Sequence, residues 1–190
     1  MNEKVSAQLG VFAPFIGYTS IAISILLSPW FRWDKNALSD LGHSVNSSVA
    51  SIFNGGLLLT GFLLLLYSVG ALNRHAKWTS FFLTVCAFSL QIVAVFDEVY
   101  GRLHFLASVF FFISLVPASL SYALEKRSLL AIGGLVIALA AWLLYWTRTY
   151  SAGIAVPETI STSTVMPWIL SSAVKTYHEN KDLGPQPKQD

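Results

Sequence analysis

Cysteine is nearly missing from this chain. Cys86 stands alone, so no intrachain disulfide can form, and its place inside an apolar run suits a small packed residue better than a nucleophile. Charge is scarce as well. Lys, Arg, Asp and Glu together make 12% of 190 residues, against about a quarter in water-soluble domains. The net charge of +2 is too small and too dispersed to mark a nucleic-acid partner. There is no Gly-rich phosphate loop, no Gly-x-Ser-x-Gly elbow, no Cys-x-x-Cys pair and no His-Glu-x-x-His helix, which removes the chemistries those motifs carry.

What fills the chain instead is apolar. Hydrophobic residues make 54% of it, and the mean hydropathy is +0.59. The few charges come in short clusters between long uncharged runs, the mark of repeated membrane spans. The runs predict an all-α polytopic membrane protein, a six-transmembrane-helix bundle with spans at 8–28, 49–72, 78–97, 103–124, 128–147 and 157–177. A chain of this length is ordinarily one domain. The bundle is expected over residues 1–178, with a polar, poorly ordered cytoplasmic tail over 179–190. The first run ends in Trp30, Phe31 and Trp33, an interfacial aromatic belt and not a small-x-small cleavage site, so that span is expected to be retained.

Individual spans carry further expectations. Pro117 should kink the fourth unless neighbours re-satisfy the freed carbonyl. Ala131, Gly134, Ala138 and Ala141 form a small-residue stripe suited to close helix packing in the fifth. The sixth is the least apolar: Pro157 and Glu158 mark a helix start, but residues 159–164 are almost wholly Ser and Thr and should face the bundle or a wet cavity. Lys and Arg count eight on the side of the termini and four on the other, which puts both termini in the cytoplasm of a cell-membrane protein.

That topology sorts the acids unevenly. Asp34, Asp40, Asp97, Glu98 and Glu158 all fall at the outer end, with His43 and His104. Asn54 lies about 8 Å below the outer end of its helix at 1.5 Å per residue, and Ser108 sits one turn below His104. Between the first two spans, a short amphipathic helix capped by Asp34 and ending at Gly42 would align Asn36, Ser39, Asp40 and His43 on one stripe. Such a helix would lie over the outer end as a lid. Asp97 and His104 would meet it from the turn between the third and fourth spans, and Glu158 from the sixth. Asn36, Asp40, His43, Asn54, Asp97, His104 and Glu158 are therefore the candidate ligand-binding residues. A structural hydrogen-bond network is the competing reading of the same residues. Glu98 with Arg102 reads as a solvated i,i+4 pair. His75 and His178 read as solvent or headgroup contacts, and the inner half of the bundle reads as greasy.

The stretch Asn36-Ala37-Leu38-Ser39-Asp40-Leu41-Gly42, with Phe53-Asn54-Gly55-Gly56 and Gly101-Arg102-Leu103-His104, resembles the domain-of-unknown-function 998 family of six-span prokaryotic membrane proteins. The resemblance implies a six-helix fold and no activity. By chemistry alone there is a looser likeness to the membrane hydrolases that include alkaline ceramidases, which hold zinc with Ser, Asp and His at helix ends.

Three functions fit. The first is an outward-facing site for a lipid headgroup or a divalent metal such as zinc, with His43 and His104 as metal ligands and hydrolysis by a metal-bound water. The second is a non-catalytic accessory or assembly subunit, as a homo-oligomer or with a membrane-protein partner. The third is a transporter, which the unbroken Leu-rich inner half of the second span argues against. Membrane lipids are partners under all three.

Overall fold

Long uncharged runs can satisfy their backbone in a membrane only by coiling into helices. The computed structural model describes residues 2–182 and contains no strand among them. Helix α1 spans Glu3–Leu26, α2 Ala50–His75, α3 Lys77–Val95, α4 Arg102–Lys126 and α5 Leu129–Trp146. These five are long and apolar enough to cross a membrane. A sixth helix, α6, runs Ala155–Asp182 and is not among them, because its hydroxyl run and charged last turns dilute its apolar middle. It continues past the boundary expected at 178, and the rest of the expected tail, 183–190, lies outside the described residues. α4 is helical through Pro117, and the Ser121 hydroxyl donates to the Pro117 carbonyl at 2.7 Å.

The helices form a ring. α1 packs on α2, α2 on α3, α3 on α4, and α6 closes on α1, while α5 lies outside against α4 and α6. Only 11% of the apolar window of α5 is buried, against 33–50% in the other four, so α5 presents most of its surface outward. Its small-residue stripe faces α6. Ala131 and Ala141 are buried, and a Cβ on Gly134 would come within 2.7 Å of the Thr164 carbonyl, so the close approach requires glycine. The Ser/Thr run of α6 does turn toward its neighbours. Thr159, Ser161 and Thr162 donate back to carbonyls four residues earlier, Ser161 also receives the Trp142 indole N–H at 2.8 Å, and Ser163 receives the Tyr18 hydroxyl.

The expected greasy inner half is corrected by the structure. At the end bearing the described termini, Glu3 is buried and accepts from Arg74 at 2.9 Å and His75 at 2.5 Å. His75 also reaches Glu179 of α6 at 3.5 Å, so it ties three helices together and does not stand in solvent. Glu125 at the end of α4 accepts from the backbone of Trp78 and Thr79 and from the Thr79 hydroxyl, capping α3 from a neighbouring helix. Deeper, α2 widens into a π-turn over Ser68–Leu72, where Ser68 and Ser80 exchange hydroxyl-to-carbonyl bonds of 2.7 and 2.8 Å. The Tyr67 hydroxyl donates to Ser172 at 2.8 Å. These pairings neutralise polar groups that would be costly in hydrocarbon.

The lid is present but shorter than expected. It is a 3-10 turn over Leu38–Gly42, preceded by Ala37, and Asp34 does not cap it. Asp34 is instead exposed in an ion pair with Arg32, two residues away. The turn starts where Asp40 folds back: one carboxylate oxygen accepts from the Ala37 N–H at 3.0 Å and from the Asn36 amide at 2.6 Å. His43 lies beyond its end, so the four-residue stripe does not form as one helical face. Leu38 and Leu41 point into the bundle and, with Val49, Phe53 and Ala155, make a small apolar cluster beneath the lid.

Candidate functional site

The lid is held on two sides. On the α6 side, the Gly153 N–H donates to the Trp33 carbonyl at 2.8 Å, the Ala155 N–H to the Asn36 carbonyl at 3.1 Å, and the Leu38 N–H to Glu158 Oε2 at 2.8 Å. On the α2 side, the Asn54 amide donates to the Gly42 carbonyl at 2.7 Å, and the Ser47 hydroxyl to the Leu41 carbonyl at 2.7 Å. A Cβ on Gly42 would run into Asn54 and the Phe53 ring, which fixes a glycine at this position. Asn36, Asp40, Asn54 and Glu158 thus converge through the backbone of a single turn.

Asp97 lies in the adjacent turn between α3 and α4, and His104 in the first turn of α4. Asp97 is buried and caps that turn by accepting from the Val99 N–H at 3.0 Å. His104, also buried, sits 2.7 Å through Nδ1 from the Phe96 carbonyl, which can only accept, so Nδ1 carries the proton. Its Nε2 is 3.2 Å from the Ser108 hydroxyl. His43 is separate from this group: the backbone and side-chain nitrogens of Asn46 engage its two ring nitrogens. Among the described residues, no group of three or more His, Cys, Asp and Glu is arranged to hold a metal ion.

The residue that sequence reasoning missed is Glu98. No ion pair joins it to Arg102 among the described residues; it faces Asp40 instead, with Asp97 beside it. Burial, then the charge and hydrogen-bonding oxygens of Asp40, then Asp97, push its carboxyl up to about 7. Its Oε2 is buried with no hydrogen-bond donor among the described residues, so a proton held between Glu98 and Asp40 relieves both the repulsion and the orphaned oxygen.

Below the lid, inside the ring, lies a cavity of about 130 Å³ open to the centres of water-sized spheres. A single water needs roughly 10–15 Å³ on that measure. The wall is mainly apolar, from Leu38 and Phe53 at the lid to Leu83, Leu115 and Ile169 deeper in the bundle. Ser39, Ser108, Thr162 and Glu158 supply polar points toward the lid, and Tyr18 and Thr60 supply two deeper ones. Glu158 is 7% exposed, and only its Oε2 accepts a hydrogen bond among the described residues. No Lys or Arg among the described residues lines the cavity. The arrangement pairs a greasy slot with a head region of acceptors and hydroxyls.

No curated protein and no solved structure matches the chain. One family does: the family described as a protein of unknown function, DUF998, matches residues 11–175. With most of the chain covered, and with helices long and apolar enough to cross a membrane, this is a membrane protein of the DUF998 family.

Proposed function

We propose that the protein binds a membrane amphiphile, its alkyl chain in the cavity and its head under the lid. The observation that carries this reading is the cavity itself, apolar along its wall and ending at the buried carboxyl of Glu158. From Glu158 to Ile169 the helix rises about 16 Å, close to the ~15 Å of one leaflet's hydrocarbon. An alkyl chain restores the dispersion contacts that an empty slot forfeits. The head is a hydrogen-bond donor, because among the described residues one oxygen of Glu158 has no donor and no cation lines the wall to meet a phosphate. The proposal assigns no metal ion.

The test is native mass spectrometry of the full chain released from detergent, with dodecylamine, dodecanol and dodecyl phosphate as probes. A single retained dodecylamine or dodecanol per chain is expected, lost when Met166→Trp fills the slot. Equal retention by the Met166→Trp variant would defeat the reading. A second reading, a non-catalytic subunit whose outer polar groups only tie down the lid, is favoured by the five bonds that stitch the lid to α2 and α6. Under that reading none of the three probes is retained.

A further inference from the structure

We infer that Ser108 and His104 form a nucleophile–base pair that cleaves an acyl ester whose chain occupies the cavity. The inference rests on the amphiphile reading and adds a reaction to it. Three features of the arrangement support it. Ser108 lies on the cavity wall near the lid, where the chain of a bound amphiphile gives way to its head. The Ser108 hydroxyl is 3.2 Å from His104 Nε2, within reach of the base that must take its proton. His104 is in turn fixed by its Nδ1 proton on the Phe96 carbonyl at 2.7 Å, which leaves Nε2 as the basic nitrogen facing the serine. Nucleophile, base and a group orienting the base are the parts such chemistry requires, recognised by role and not by sequence order.

The spacing explains why the pair forms. Residues four apart on a helix are neighbours, so Ser108 and His104 meet on the inward face of the first turns of α4. Phe96 belongs to the preceding turn, and Gly101, at φ 52°, reverses the chain so that the Phe96 carbonyl lies over the start of α4. Ser39, on the lid side of the cavity, has a hydroxyl with no hydrogen-bond partner among the described residues, and it is the donor available to a developing oxyanion.

The step balances without a cofactor. Ser108 Oγ bonds to the acyl carbon as its proton passes to His104 Nε2. The ester's C–O bond then breaks, and the departing alcohol takes that proton from His104. Water, with its proton removed by the same nitrogen, then frees the carboxylic acid and restores Ser108. The acyl chain lies in the slot, and the alcohol is the hydroxyl- or amine-bearing head that faces the acids.

A dodecyl fluorophosphonate tests the pair directly. Attack by Ser108 forms an Oγ–P bond and expels fluoride, leaving an adduct that peptide mass spectrometry locates. Labelling of the full chain at Ser108 is expected, abolished in Ser108→Ala and slowed about a hundredfold in His104→Gln. Where His104→Gln does not fold, Phe96→Pro is no substitute, because it disturbs the whole turn; the Ser108→Ala comparison then carries the test. Absence of the adduct in a wild-type protein that retains dodecanol would overturn the pair and leave the amphiphile reading standing. An adduct elsewhere on the chain, or one formed at the same rate in His104→Gln, would overturn it equally. Failure to retain either dodecanol or dodecylamine would remove the reading beneath it.

Discussion

The two ends of this bundle handle buried acid in opposite ways. At the end bearing the described termini, Glu3 is met by Arg74 and His75, and Glu125 by two backbone N–H groups and a hydroxyl. At the lid end, Asp40, Glu98 and Glu158 lie within electrostatic reach of one another. There Arg32 is spent on exposed Asp34. The first end is compensated and reads as construction. The second keeps a surplus of acceptors, one of which, Glu158, lines the cavity, an arrangement that construction alone does not need. Structural pairs hold a fold together, whereas unpaired groups facing a void are where a ligand has something to offer.

The largest effect that would sharpen this contrast lies in the lid's fit. Gly42→Ala puts a methyl against Asn54 and the Phe53 ring and should cost on the order of 1–3 kcal/mol. Gly55→Ala, one residue beyond Asn54 and with open space around it, should be neutral or slightly stabilising. Unfolding midpoints in detergent separate the two, and equal values would mean the lid is loosely seated. Next in size is the compensated end. Glu125→Ala strips the N-terminus of α3 of its acceptors and should cost about 1 kcal/mol, as loss of a helix cap does.

The lid end should respond to pH in a way that follows from its surplus. Glu98 has its carboxyl raised from an ordinary 4.5 to about 7, so the folded chain holds a proton that the unfolded chain releases. The stability this group contributes is fully present below about pH 4.5 and is lost as pH rises through about 7. The unfolding midpoint of wild type should therefore fall between pH 5 and pH 8. Glu98→Gln, which keeps the neutral shape, should flatten that slope and raise the midpoint at pH 8. An unchanged slope in the variant would assign the pH response to other groups.

Much of this was legible from the chain. Apolar runs read as helices because a long uncharged segment in a membrane satisfies its backbone within itself by coiling. A lid ending at Gly42 was legible, but its start was not: Asp34 reads as the cap, whereas in the fold Asp40 accepts from the Ala37 N–H. Ser108 one turn from His104 was equally readable, as helical spacing alone brings them together. Glu98 was not readable, because its spacing from Arg102 suggested a solvated pair, and only the tertiary fold sets it against Asp40. The Glu3 network joins residues more than seventy positions apart, so no local pattern announces it. The cavity was invisible for a different reason: a void is a property of how side chains fail to meet, and no single residue carries it.

The smallest expected effect tests whether charge at the lid end matters by position or by count. Asp34 is exposed, and the hydrogen bond and charge of Arg32 hold its carboxyl below the usual range. Exposed pairs of this kind contribute little, because water and salt screen them and two long side chains lose freedom to form them. Asp34→Asn should therefore leave the unfolding midpoint, its pH slope and the retention of dodecylamine unchanged. Above about pH 7, where Glu98 has released its proton, it removes the same single negative charge that Glu98→Gln removes, from the same end of the molecule. If the two variants shifted the pH slope alike, net charge at that end would explain the behaviour. If only Glu98→Gln did, the effect belongs to the carboxyl that burial and Asp40 hold in its proton-bearing form.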